Sequence, residues 1–294
     1  MWDRLFAFIN NFRANPAPVV AVVRLSGVIA PNGRSHKTIN LENTEKLIAT
    51  AFALKGVKAV AFSINSPGGS PVQSALILDR IRDLAKDKDI KVLTFCEDVA
   101  ASGGYMLALA GDEIYAHEAS VLGSIGVVYA GFGFTSALEK LGVERRLYTA
   151  GENKSLLDPF SPESEDDIKR LKHIQSEIHD YFIARVKERR GKRLKGVRAK
   201  LFSGDVWLGK EAHKLGLIDD IANMRSFLRD RFGERVRIRT IKPKKEAFGL
   251  FSMLRGLDSK SSVHISDEGF LPSTWSDDIL ETIEVRSFWD RWGL

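Results

Sequence analysis

Hydrophobic positions in the first half of the chain fall into two alternating patterns. Val19 to Leu25 (VVAVVRL), Val57 to Ile64 (VKAVAFSI) and Ile90 to Cys96 (IKVLTFC) are short runs bounded by turn residues, and they predict strands. Between them, Leu47, Ile48, Ala51 and Leu54 recur at helical spacing before a stop at Gly56. Ile77, Leu78, Ile81, Leu84 and Ala85 do the same after Pro71, a residue suited to the first helical position. Further along, Glu113 to Ala116 and Val143 to Thr149 predict strands, residues 136–141 a short helix, and the uncharged stretch 119–134 a buried strand with tight turns. The longest predicted helix opens at Ser161-Pro162. Acidic residues fill its first turns, and Arg189, Arg190, Lys192 and Arg193 crowd its end, matching the helix dipole. Ile168, Leu171, Ile174, Ile178 and Phe182 form its core-facing stripe. Strand, helix and strand in this order predict parallel crossover units, hence an α/β protein with ligands at the carboxyl ends of the strands.

The two ends read differently. Residues 1–18 are an amphipathic arm closing on Asn15-Pro16-Ala17-Pro18, residues 19–242 form the domain, and 243–294 are an extension with a polar linker and a terminal helix over 279–292. At 294 residues, 44% hydrophobic and 28% charged, the chain has the means to bury a full core. Its net charge of +6 is concentrated in 187–200 and 235–245, without interleaved aromatics. That argues against nucleic acid and for a solvated face or an anionic membrane surface. One cysteine, Cys96, excludes an intrachain disulfide, and six scattered histidines give no ligand spacing, so neither a metal nor a cofactor is expected. The start lacks the pattern of a signal peptide. Ala119 to Leu138 is long enough to span a bilayer but rich in glycine, so a chain that is cytoplasmic or peripherally bound to a membrane is expected.

Three features bear chemistry. Ser102, in EDVAASGGYMLAL, stands at a predicted strand-to-helix turn, where its hydroxyl either caps the helix or is displayed as a nucleophile. Pro67-Gly68-Gly69 stands at another such turn, able to aim N–H groups at an oxyanion; a plain glycine loop is the alternative. Lys154, in TAGENKSLLDPF, is a surface charge or a general base, and a base must be uncharged, which requires desolvation. A histidine base has little support: His117 lies in a polar turn without an orienting carboxylate.

Taken together and in order, VVRLSGVI at 22–29, INSPGGS at 64–70, EDVAASGGYMLALAGDEIYA at 97–116, GSIGVV at 123–128, TAGENKSLLDPFSP at 149–162 and GDVWLGKEAHKLGLID at 204–219 resemble the signal peptide peptidase A family, the S49 serine peptidases of the ClpP/crotonase superfamily. The resemblance covers roughly residues 19 to 230. It implies a fold of repeated ββα units with parallel sheets and a Ser-Lys dyad. Ser102 maps to the nucleophile and Lys154, 52 residues on, to the base. Ser124 maps to the serine that holds the lysine, and Gly68, Gly69 and Gly103 to the oxyanion donors. It further implies cleaved signal peptides or other unfolded hydrophobic peptides as substrates, no cofactor, and assembly into a homo-oligomer. A crotonase-like acyl-CoA enzyme and a non-catalytic membrane-associated scaffold are the alternatives.

Overall fold

The computed structural model describes residues 16–31, 38–243 and Trp289. The predicted arm, linker and terminal helix thus lie almost wholly outside the described residues. In chain order the elements are β1 (Val19–Ser26), α1 (Leu41–Phe52), β2 (Val57–Ser66), α2 (Pro71–Lys88), β3 (Lys91–Ala101), α3 (Gly103–Ala108), β4 (Glu113–Ala116), β5 (Val121–Gly123), α4 (Thr135–Leu141), α5 (Glu165–Arg190), α6 (Arg198–Leu201), β6 (Val206–Leu208), α7 (Gly209–Lys214), β7 (Asp220–Ile221), α8 (Met224–Phe232) and β8 (Arg237–Thr240). The alternation predicted from the hydrophobic pattern is present. α1 begins on Asn40, whose side chain accepts from the Asn43 N–H at 2.8 Å, and α2 begins with Pro71 in its first turn behind the Ser70 cap.

The strands join in the order β6-β5-β3-β2-β1-β8, with β4 pairing to both β3 and β7. All pairings are parallel except β5 with β6. Strand β3 changes neighbour along its length: Leu93–Cys96 lie beside β4, and Val99–Ala101 lie beside β5. At the changeover its register with β2 jumps from Ile64↔Cys96 to Ser66↔Ala100. Asn65 fills the irregularity, accepting from the Val99 N–H (3.1 Å) and donating to Asp98 (2.8 Å). Residues 97–101 therefore continue β3 past Cys96, where the hydrophobic run predicted its end. Their backbone groups are satisfied by a second set of partners, and the strand runs straight to Ser102.

The core lies mainly between this sheet and the helices α1, α2 and α3. Val23, Leu25, Ile48, Phe62, Ile64, Ile77, Ile81 and all of α3 are buried. A smaller cluster on the opposite face packs Val20, Val22, Leu93, Phe95 and Tyr115 under Leu228 of α8. Three further predictions differ from the structure. Of the uncharged stretch 119–134 only Val121–Gly123 is strand, and residues 128–134 are exposed because no described strand covers them. Val143 to Thr149 form no strand, because no described strand lies beside them and their apolar side chains stand in solvent. In α5, which starts after a Ser164 cap rather than at Ser161-Pro162, only Phe182, Val186 and Arg190 are buried, while Ile174 is exposed. The amino-terminal half of that stripe has no core to meet within the described residues of one chain.

Candidate active site

The Ser102 turn decides between cap and nucleophile. Ser102 takes the N-cap position of α3, yet its side chain makes no cap hydrogen bond. Its backbone sits at φ 51, ψ −122, a conformation that costs a non-glycine residue energy and persists only where the surroundings hold it. They do: the Ser102 N–H donates to the Gly123 carbonyl at 2.8 Å, its own carbonyl accepts from Met106 at 3.0 Å, and both flanking residues are buried. A displayed hydroxyl on a strained strand-to-helix turn is what a serine nucleophile requires.

The glycine loop lies against this turn. A methyl group on Gly68 would fall 2.8 Å from Ser102 Cβ, and one on Gly69 would fall 2.1 Å from the Ile29 carbonyl oxygen; both glycines have positive φ. The loop is pinned to β1's end, with Ile29 N–H donating to Gly68 O (2.9 Å) and Ser70 N–H to Ile29 O (2.7 Å). The Gly68 N–H is occupied by Ser66 Oγ at 3.2 Å. Among the described residues the N–H groups of Gly69 and Gly103 make no hydrogen bond. They are also near one another, the Gly69 nitrogen lying 3.4 Å from where a Gly103 Cβ would stand. The chain thus presents two open donors beside Ser102, and of the predicted trio Gly68 contributes chiefly the close approach.

Ser124 follows β5 directly and also has positive φ, at 51. Its N–H donates to the Asp205 carbonyl (2.7 Å), and Trp207 packs on Gly123 so tightly that a Cβ there would lie 2.6 Å from the indole. The antiparallel pairing of β5 with β6, from a distant part of the chain, therefore fixes the residues on which both serines depend. Among the described residues no hydrogen bond joins Lys154 to either serine. The lysine lies in an exposed turn, and among the described residues its ammonium makes no hydrogen bond or ion pair. The segment carrying it, 127–164, exposes Val128, Tyr129, Phe132 (81%), Leu141, Leu147 and Tyr148 (90%).

Part of the predicted basic face is a clamp. Arg189 donates to the carbonyls of Leu109 (2.8 Å) and Gly111 (3.0 Å) at the end of α3. Arg190, 2% exposed, donates to Gly216 O and pairs with Asp219, which also receives Arg193. Burial would raise the Asp219 carboxyl, but hydrogen bonds from Arg190 and the Ile114 N–H, with the Arg190 charge, hold it below the usual carboxylate range. Arg189 and Arg190 are thus taken from the solvated or membrane-facing surface assigned to them, while Arg193 stays exposed. Burial pushes the Cys96 thiol up to about 12, which keeps it protonated and inert. His117 accepts from the Ala119 N–H through Nδ1 and has no carboxylate partner among the described residues. Sequence reasoning missed His179, whose Nε2 lies 3.0 Å from the Ile125 carbonyl oxygen. The available signal was a polar residue on the apolar stripe of α5.

The model of peptidase family S49 matches residues 84–231, just over half of the chain, and that of Clp protease matches 34–121. The chain belongs to peptidase family S49. It is 51% identical, over 97% of its length, to a Brucella abortus protein named Na(+)/H(+) antiporter NhaA, of which it spans 38%. It is 32% identical over 70% of its length to "Serine protease SPPA, chloroplastic" of Arabidopsis thaliana, of which it spans 31%. None of the described helices is long and apolar enough to cross a membrane. Among solved structures it resembles the 1510-N membrane-bound stomatin-specific protease, with a TM-score of 0.51 at 18% identity over 78% of this chain and all of that one. The S49 member described here thus has the α/β fold of the ClpP/crotonase type expected from its motifs.

Proposed function

We propose that this S49 member is a serine endopeptidase that cleaves unfolded hydrophobic peptides, signal peptides among them, with Ser102 as nucleophile and Lys154 as general base. The observation that carries the reading is the strained, uncapped Ser102 beside two open N–H groups. Ser102 Oγ attacks the peptide carbonyl as its proton passes to neutral Lys154. The oxyanion forms against the Gly69 and Gly103 N–H groups. Lys154 then protonates the leaving amine, and water hydrolyses the acyl-enzyme with the lysine again as base. Ser124 orients the lysine. An acyl-CoA enzyme would use the oxyanion loop alone and leave the strain at Ser102 without a role.

Lys154 is exposed in one chain, so its desolvation is assigned to assembly. Burying about five of the apolar side chains of 127–164 would contribute roughly 8–15 kcal/mol, comparable to the ~4–15 kcal/mol cost of association. In this reading the copies of a homo-oligomer cover the segment, and Lys154 of the partner subunit completes each site. The test is hydrolysis of a quenched unfolded casein by the wild type and by Ser102→Ala. The variant is expected to lose about 10⁶-fold in kcat. A Ser102→Ala variant as active as the wild type contradicts the proposal.

A further inference from the structure

We infer that His179 is a positioning residue for the loop that carries Ser124, acting through one hydrogen bond to the Ile125 carbonyl; the inference rests on the Ser102–Lys154 reading above. A carbonyl oxygen only accepts, so the contact requires the proton on Nε2. His179 stands half-buried on the inward stripe of α5, in line with Phe182, Val186 and Arg190, where an apolar residue would serve packing alone.

The bond matters because of what it ends. Gly123 is held by Ser102 and Trp207, and Ser124 by the Asp205 carbonyl. Beyond Ser124, among the described residues, the stretch 125–133 makes no other hydrogen bond until Phe134 donates to Pro159. Ile125 itself is fully buried, so its carbonyl has no ready replacement from solvent. His179 is therefore the last fixed point before the chain leaves the core for the exposed segment that bears Lys154. With the bond in place, Ser124 is tied on both sides in its left-handed conformation, at φ 51. Without it, the carboxyl-terminal side of that turn is free, and the hydroxyl that orients the base loses its fixed position. Substrate contacts at the glycine loop are untouched.

The test compares three variants in the full chain. His179→Leu keeps bulk and removes the donor, His179→Gln carries an amide N–H to about the same reach, and His179→Asn holds the donor short of it. Hydrolysis of a quenched hydrophobic peptide is read as kcat and KM, and deuterium exchange is followed over 121–127. The Leu and Asn variants are expected to lose about 10- to 100-fold in kcat with KM within about twofold, and to exchange faster over 121–127. The Gln variant is expected to stay within about threefold of the wild type in both readouts. A Leu variant equal to the wild type in rate and exchange overturns the inference, and so does a Gln variant as defective as Leu. A wild type without hydrolysis overturns the peptidase reading instead, and the exchange comparison still decides whether His179 holds the loop.

Discussion

The two halves of the proposed dyad sit in opposite physical settings. The nucleophile half, residues 57–126, is set by parallel strands: Ser102 ends a strand paired on both sides, and its neighbours Ala101 and Gly103 are buried. The base half, 127–164, contains one helix, α4, with no buried residue. It does fold on itself. Phe134 stacks on Phe160 at 5.5 Å, Arg145 lies over the Phe160 ring and pairs with Asp158, and Phe134 N–H donates to Pro159. The difference teaches that one chain suffices to strain a serine into place, whereas desolvating a lysine needs a surface this segment does not supply to itself.

The largest effect that tests the contrast comes from mixing two dead variants. Ser102→Ala and Lys154→Ala are each expected to be inactive, and co-expressing them in equal amounts should restore about a quarter of wild-type sites if the base comes from a neighbouring copy. A mixture as inactive as either parent would place both groups within one chain and break the comparison. Next in size is Gly69→Ala on the rigid side. A methyl 2.1 Å from the Ile29 carbonyl at a positive φ has nowhere to go. It should lower stability by about 2–4 kcal/mol in denaturant titrations and abolish hydrolysis.

On the exposed side the expected pattern is reversed. Tyr148→Glu alters a side chain that is 90% exposed, so the melting temperature of the subunit should stay within about 2 °C. Its sedimentation should shift to smaller species and activity should fall with it. The smallest effect concerns the sheet's far end. A hydrogen bond from Arg231, with others from Lys91 and Tyr115, holds the Glu113 carboxyl at about 2 against an ordinary 4.5. Because the folded value is the lower one, this stabilisation is complete above about pH 4.5 and is lost as pH falls toward 2. Glu113→Gln should therefore flatten the stability profile in that window and leave hydrolysis at neutral pH unchanged.

What the sequence disclosed follows the same divide. Strands β1, β2 and β3 and helices α1 and α2 were legible because the alternation of apolar runs and helical stripes is resolved within the chain that produces it. The Ser102 turn and the glycine loop were legible because small residues at strand-to-helix joins have few other uses. The continuation of β3 through 97–101 was not, since it depends on β5 pairing beside it and on Asn65 bridging the register jump. Nor was the fate of Val143–Thr149, whose pattern is that of a strand without a described neighbour to pair with. The basic run ending α5 read as a surface charge; its role as a clamp on α3 depends on carbonyls some 80 residues away in sequence. His179 shared that obscurity, because one polar position in an apolar stripe does not reveal its partner.

The measurement that tests the central claim most directly is the site and rate of fluorophosphonate labelling, read by peptide mass on the wild type and on Lys154→Ala. The account predicts a single adduct on Ser102 in the wild type and a labelling rate reduced by about 10³-fold or more in the variant. An adduct on another residue, or a Lys154→Ala variant labelled at the wild-type rate, would contradict it.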